Sequence, residues 1–272
     1  MPSSLTVLTI AGFDPSSGAG VTADLMVFAA HGLFGTSCIT ALTIQSTLGV
    51  LSSHPVSAEN VRATLDCLHA DLPPAGIKIG MLDTADNVAA VADYLEAVRS
   101  YHPRIPVVLD PVLRASSGRE LLGGEGLGVL RERLLPLVDW ITPNLVELGV
   151  LSSQPVAIHS DLPAASRALQ RFAGNEHLGV FATGGHLDPP DDFLLAPDGD
   201  EHWLPGERVE TTSTHGTGCA LSSAFLSRLV LGDTPLQAAV VAKRYVTEAL
   251  RTAVPRGHGS GPLNLLWPLG TK

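Results

Sequence analysis

The chain has 272 residues, enough for one large domain or two small ones around a substantial core. Hydrophobic residues at 45% and charged residues at 16% exclude a disordered polymer, and 17 Lys and Arg against 27 Asp and Glu leave a net charge of −10 that argues against nucleic acid or an anionic membrane as the main partner. Cys38, Cys67 and Cys219 are odd in number, widely spaced and without a CxxC pair, so neither a disulfide framework nor a structural zinc site is expected, and a reducing compartment fits better. No basic region precedes the apolar run 5–11, the first Lys or Arg being Arg62, and no segment approaches 18 uninterrupted apolar residues. Neither export nor membrane spanning is indicated, and a cytoplasmic location is expected.

The first predicted element is a strand, "LTVLTIAG" (5–12), followed by "GFDPSSGAGVTAD" (12–24). Gly18-Ala19-Gly20 resembles a relaxed dinucleotide fingerprint, but the strand ends near Gly12, so its first glycine comes too late for the tight turn. The ribose-binding acid is also missing, since no Asp or Glu lies between Asp24 and Glu59, and no GK[ST] makes it a P-loop. A flexible loop before a helix is the competing reading. "CITALTIQ" then ends an apolar run on Gln45, a buried amide that must find partners and that can turn one side to a ligand.

"IKIG" (77–80) and "PVVLDPV" (106–112) read as buried strands, with a helix between them over 84–99, where Val88, Val91, Leu95 and Val98 recur at helical spacing behind Asp83 or Thr84 as N-cap. Asp110 ends the second strand, a suitable place for a carboxylate holding Mg²⁺ directly or through water. "DWITPN" (139–144) is a further strand, after which Asn144 and Glu147 open a helix, either as plain cap and first-turn acid or as functional groups. Asp161 and Pro163 start another helix that Gly174 stops, and "LGVFATGG" (178–185) is the next strand. Strands alternating with helices predict a doubly wound α/β sheet with ligands at the carboxyl ends of the strands.

The stretch 191–211 carries a D-G turn between short alternating runs and reads as a hairpin attached to that sheet. Two helices close the chain, over 217–231, where Leu221, Phe225 and Leu229 form the apolar stripe, and over 235–253. Gly216, Thr217 and Gly218 form the entry to the first, where free amide N–H groups bind anions. Cys219 lies in its first turn, where the helix field favours a thiolate, unless it is simply a small residue packed at a helix start. The ten histidines show no metal-ligand spacing, and most read as surface or structural. Without a repeat or linker, residues 1–272 read as one domain.

Taken in order, "LTIAGFDPSSGAGVTADL", "GTSCITALTIQSTLGV", "KIGML", "LDPVL", "ITPNLVEL", "TGGH", "THGTGCALSSA" and "GHGSGPLN" resemble the hydroxymethylpyrimidine/phosphomethylpyrimidine kinases of thiamine biosynthesis, in the ribokinase superfamily. The resemblance spans almost the whole chain. It implies a ribokinase-like α/β fold with a mostly parallel central sheet, helices on both faces and a small β-hairpin, commonly as a homodimer, with ATP and Mg²⁺ as cofactors. It implies that Gly12, Asp24, Gln45 and Met81 surround the pyrimidine. Asp110 and Glu147 would serve the metal, and Asn144, Glu147, Thr183 and Gly185 the nucleotide. Gly216, Thr217 and Gly218 would form the anion hole, and Cys219 matches the family's catalytic cysteine, where most of the superfamily has an aspartate base.

The chain departs from that pattern at Thr183, Met26 and Ser116, where family members commonly carry lysine; one branch also uses threonine at the first. Charge neutralisation of the triphosphate is then expected from Mg²⁺, helix amides and Arg114 or Arg119. The expected reaction is ATP-dependent phosphorylation of 4-amino-5-hydroxymethyl-2-methylpyrimidine and of its monophosphate. Three rivals are a pyridoxine or pyridoxal kinase, a pyrimidine-binding module without turnover, and, more distantly, a dinucleotide oxidoreductase. Gln45 leans against the first, because a pyridine ring lacks the aminopyrimidine's paired donor and acceptor.

Overall fold

A computed structural model describes residues 5–115 and 118–270; Ser116 lies outside them. Nine strands among the described residues form one sheet: β1 (Thr6–Phe13), β2 (Phe34–Ser46), β3 (Gly49–Pro55), β4 (Ile77–Ile79), β5 (Val107–Leu109), β6 (Trp140–Ile141), β7 (Gly179–Ala182), β8 (Asp192–Leu195) and β9 (Glu201–Leu204), in the order β3-β2-β1-β4-β5-β6-β7-β8-β9. The strands from β2 to β7 in that order pair in parallel, while β3 at one edge and β8 and β9 at the other are antiparallel. The central strands read as unbroken apolar runs because both faces are covered: β4, β5 and β7 have no exposed residue.

Alternation along each strand divides the core in two. Val107, Leu109 and Ile141 pack on the face covered by α2 (Ala58–Asp71), α3 (Ala85–Tyr101), α5 (Leu145–Ser152) and α6 (Leu162–Ala173), with a short α4 (Gly124–Val129) beside α3. Val108, Trp140 and Phe181 pack on the opposite face against α1 (Gly20–Ala30), α7 (Thr217–Val230) and α8 (Pro235–Arg251). There Phe225 of α7 meets Trp140 and Phe181 edge-on, at centroid distances of 5.0 and 5.2 Å. The same alternation puts Lys78, between Ile77 and Ile79, on the α1 and α7 side, fully buried.

The predicted helices form close to their expected bounds. Thr84 caps α3 by accepting from Asn87 N–H, and Gly174 ends α6 in the left-handed region, whereas Asp161 spends its carboxylate on Ala157 and Ile158 N–H just before α6. The predicted hairpin over 191–211 is β8–β9, with Gly199 at φ 92° in its turn. The stripe predicted for α7 is too narrow, since every residue from Ala220 to Ser227 is buried. The strand predicted over 139–144 shortens to Trp140–Ile141, and α2 and β3 were not anticipated.

The direction of winding changes at β1, which has β2 on one side and β4 on the other. Loops leaving the carboxyl ends of β1 and β4 part there and open a crevice, the usual ligand position in a doubly wound sheet.

Candidate active site

A cleft of about 1200 Å³ follows the carboxyl edge of the sheet from the β2–β3 hairpin to the C-terminal half of α8. Gly12, Gln45 and Met81, which the resemblance places around the pyrimidine, line one end of it. Met81 lies so close over the end of β1 that a side chain at position 12 would meet its sulfur at 3.0 Å, so glycine keeps this end open. Leu48 and Val50 close the same end from the hairpin, whose tip is held by the C-terminal segment: a side chain at Gly259 would strike the Thr47 carbonyl at 2.0 Å.

The loop between β1 and α1 is gathered around one carboxylate. Asp14 accepts from Ser16 N–H (2.8 Å) and hydroxyl (2.7 Å), Gly18 N–H (3.2 Å), Ala19 N–H (3.0 Å) and His215 Nε2 (2.8 Å). Burial opposes its charge, but His215 and Ser16 outweigh that and hold it below the ordinary carboxylate range. The Gly18–Ala19 stretch that resembles a dinucleotide fingerprint is thus a carboxylate-filled nest, with its amides already used. Gly216, at φ 85°, backs onto it so closely that a side chain there would meet the Gly18 carbonyl at 1.8 Å.

In the middle of the cleft, Gly216, Thr217 and Gly218 lead into α7 and face the open space, and Cys219 follows, half-buried. Below it stands a charged cluster that the sequence did not reveal. Lys78 Nζ lies 3.0 and 3.1 Å from the two Asp24 oxygens and 3.7 Å from Asp110 Oδ2. Thr9 and Ser223 hydroxyls donate to Asp24 at 2.6 and 2.7 Å, and Ser222 to Asp110 at 3.4 Å. Asp24 therefore stands corrected as a substrate contact: it is fully buried, engaged by these donors and absent from the cleft wall, which Lys78 reaches instead.

The thiol expectation also reverses. The helix N-terminus was expected to favour a thiolate, but burial pushes the Cys219 thiol up to about 12, with Asp110 and Asp24 adding to the rise and Lys78 only partly opposing it. Burial likewise raises Asp110 despite Lys78. Burial opposes the charge of Lys78 as well, yet the Asp24 and Asp110 carboxylates outweigh it and keep the ammonium charged.

Towards the other end, Asn144 and Glu147 form a reciprocal capping box at the start of α5: Asn144 Oδ1 accepts from Glu147 N–H at 3.0 Å, and Glu147 Oε2 from Asn144 N–H at 2.9 Å. The cap reading is realised, and both residues also line the cleft. Burial and the nearby Asp110 push Glu147 up to about 8. Two buried carboxylates that both resist ionisation suit a hard divalent cation, and Mg²⁺ characteristically takes only one or two protein carboxylates beside phosphate oxygens. No group of three His, Cys, Asp or Glu side chains converges as a ready-made metal cage among the described residues.

Thr183 and Gly185 line the cleft beside Asn144, with Thr183 N–H donating to the Pro143 carbonyl at 2.9 Å. Their loop is braced from behind, since Asp192 accepts from Gly184 N–H (2.8 Å) and from Lys243 Nζ (2.8 Å), and Lys243 also reaches the Pro190 carbonyl. Val209, Val246 and Leu250 give this end an apolar wall. Arg114 reaches the cleft, whereas Arg119 turns away to the Leu51 carbonyl and Met26, on α1, packs half-buried against the core. Every predicted site residue except Asp24 and Arg119 lies on this one cleft; Lys78, Asp14, His215 and Lys243 join them unforeseen.

A parallel sheet with such a cleft at its carboxyl edge, a helix N-terminus at its centre and paired carboxylates beside it defines a phosphotransferase of the ribokinase kind. Comparison with known proteins identifies the family. The phosphomethylpyrimidine kinase family model matches residues 14–264, and the chain belongs to that family. It is 39% identical over 264 residues to the hydroxymethylpyrimidine/phosphomethylpyrimidine kinase of Haemophilus influenzae, covering 95% of each chain. It is 43% identical to the thiamine biosynthesis multifunctional protein ThiED of Corynebacterium efficiens, with 95% of this chain matched but only 34% of that protein's length. Among solved structures, the phosphomethylpyrimidine kinase of Clostridium difficile 630 aligns with a TM-score of 0.77 at 32% identity, covering 90% of this chain and 99% of that one. The pyridoxal kinase of Staphylococcus aureus in complex with ADP aligns with a TM-score of 0.85 at 27% identity, covering 97% and 94%. No described helix is long and apolar enough to cross a membrane.

Proposed function

We propose that this kinase transfers the γ-phosphoryl group of ATP to the 5-hydroxymethyl group of 4-amino-5-hydroxymethyl-2-methylpyrimidine, and then phosphorylates the monophosphate, supplying the pyrimidine half of thiamine. The observation that carries this reading is the order of groups along one cleft: an amide and a methionine at one end, amide donors and a thiol at the centre, and a carboxylate pair and a braced loop at the other. Gln45 offers a donor and an acceptor side by side, which pair with the ring nitrogen and exocyclic amine of an aminopyrimidine as they do with adenine. The free N–H groups at the start of α7 receive the transferring phosphoryl group, where positioning and charge stabilisation dominate the chemistry. Asp110 and Glu147 hold Mg²⁺, which neutralises phosphate charge when bound. Asn144, Thr183 and Gly185 hold the nucleotide phosphates, with the apolar wall for the base.

Lys78 answers the shortage of lysine in the sequence, since it brings a fixed cation to the floor of the cleft beside Cys219 and Asp110. That weighs against a binding module without turnover. One domain would carry the reaction, working as a homodimer in the cytoplasm, a setting compatible with three free cysteines. The test is ADP release with hydroxymethylpyrimidine, its monophosphate and pyridoxine measured side by side with MgATP. Preferential turnover of the first two is expected; faster turnover of pyridoxine would make this a vitamin B6 kinase, and none with any of them would sink the reading.

A further inference from the structure

His215 touches both the loop around Asp14 and the amide of Gln45, and its hydrogen-bonding leaves little freedom. The Asp14 carboxylate already accepts four N–H and O–H donors from residues 16, 18 and 19, so it meets His215 as an acceptor and nothing else. At 2.8 Å from that oxygen, Nε2 of His215 must carry a hydrogen. Gln45 Nε2 is placed 2.8 Å from the same ring nitrogen and its Oε1 3.4 Å from Thr43 Oγ1. Two N–H donors cannot bond each other, whereas an amide oxygen in that place shares the one Nε2 hydrogen with Asp14 in a three-centre bond. At the far end, the Thr43 hydroxyl spends its single hydrogen on the Phe13 carbonyl at 2.9 Å and turns only lone pairs to Gln45. Each end independently demands the reverse arrangement, and the two ends of a side-chain amide are told apart only by their partners.

We propose that the Asp14–His215 pair fixes the Gln45 amide with its oxygen towards His215 and its NH₂ towards Thr43, making His215 the positioning residue that decides which way round the pyrimidine sits. The inference rests on the reading above that Gln45 faces the ring. An amide so held donates to ring N3 from the Thr43 side and accepts from the 4-amino group on the His215 side. The 5-hydroxymethyl carbon is the next ring substituent past the 4-amino group, so it continues in the same direction, towards residues 216–219 at the start of α7. Turned the other way, the amide would aim the hydroxymethyl group at β1 and away from the phosphoryl site. A locked amide also rejects a 4-oxo ring, which presents an acceptor at C4 and a donor at N3 and needs the opposite polarity.

The test compares kcat/KM for 4-amino-5-hydroxymethyl-2-methylpyrimidine and its 4-oxo counterpart. The wild type should favour the amino ring by on the order of 10- to 100-fold. His215→Leu frees the amide to turn and should cut that preference about tenfold, while His215→Gln, which returns an N–H near the Nε2 position, should retain most of it. An unchanged preference in His215→Leu, or an equal fall in both variants, overturns the proposal. Gln45→Leu separates the two claims: if it keeps the preference, Gln45 does not read the ring; if it loses the preference while His215→Leu keeps it, only the role of His215 fails. Long-range ¹H–¹⁵N spectra of the wild-type ring at pH 8, assigned through His215→Gln, give a check that no folding defect can spoil. A protonated Nε2 is expected, and an unprotonated one overturns the proposal.

Discussion

Cys219 illustrates how tertiary context overrules a local rule. A helix N-terminus lowers a thiol pKa, but here burial beside Asp110 and Asp24 pushes it to about 12, so the group facing the cleft at neutral pH is a thiol. A loose phosphoryl-transfer transition state asks little of a base until late. We therefore expect Cys219→Ala to lower kcat only about tenfold, with ATP affinity unchanged, as suits a group that orients the hydroxyl. A loss nearer the 10²–10⁴-fold typical of general-base catalysis would restore the base role. Lys78 matters more to the fold. Lys78→Met leaves Asp24 and Asp110 buried without their cation, an expected cost of about 3–5 kcal/mol. The bare carboxylates then take up protons more readily in the folded chain, so the deficit should be smaller at pH 5 than at pH 8. Denaturant titrations at both pH values check this, and a deficit independent of pH would mean that the ammonium does not hold these carboxylates in their charged form.

At the scale of elements, the sequence was most legible where periodicity and punctuation agreed. Thr84, Gly174 and the D-G turn marked α3, α6 and the β8–β9 hairpin, because each rule acts within a few residues. The second helix is equally marked, with Ser57 as cap and Val61, Leu65 and Leu68 on one face. β3 carried no such mark: its residues are half-exposed, and only pairing with β2 makes a strand of them. Lys78 and Asp24 lie far apart in the chain, so nothing local announces their pairing, although strict alternation in β4 already put Lys78 on the α1 side. The start of α5 offers a test of cap and site together. Folding raises Glu147 from its ordinary 4.5 to about 8. The unfolded chain therefore releases its proton first, and stability falls between about pH 4.5 and 8 by up to about 1.4 kcal/mol per unit. Glu147→Gln can still accept from Asn144 N–H, so it should flatten this slope and raise the Tm of the nucleotide-free protein at pH 8 while weakening stabilisation by MgADP. An unchanged slope would place the titration elsewhere.

For the whole molecule, the decisive feature is the edge formed by β2 and β3. Along β2, Thr43 and Gln45 face the cleft, so the alternating positions Leu42 and Ile44 must face outward, and both are exposed. Leu48 and Leu51, at 73% and 74% exposure, extend that apolar surface across the hairpin, and Phe34 adds to it at the start of the strand. An open edge strand flanked by apolar side chains invites pairing, and proteins that leave one uncharged usually cover it. A second copy of this chain, meeting it hairpin to hairpin, covers both edges with one interface. Such a contact would also bear on the chemistry, since Leu48 and Val50 close the end of the cleft proposed for the pyrimidine and Gln45 lies a few residues away on the same hairpin. Sedimentation equilibrium should therefore find a dimer at micromolar concentration. Placing charge in the interface with Ile44→Lys and Leu51→Lys together should give a monomer whose KM for the pyrimidine rises several-fold, with KM for ATP little changed because the nucleotide end rests on α5, α8 and the β7–β8 loop. A wild type that sediments as a monomer would remove the interface from the account. A monomeric variant with unaltered pyrimidine KM would keep the interface but deny it any part in closing the cleft.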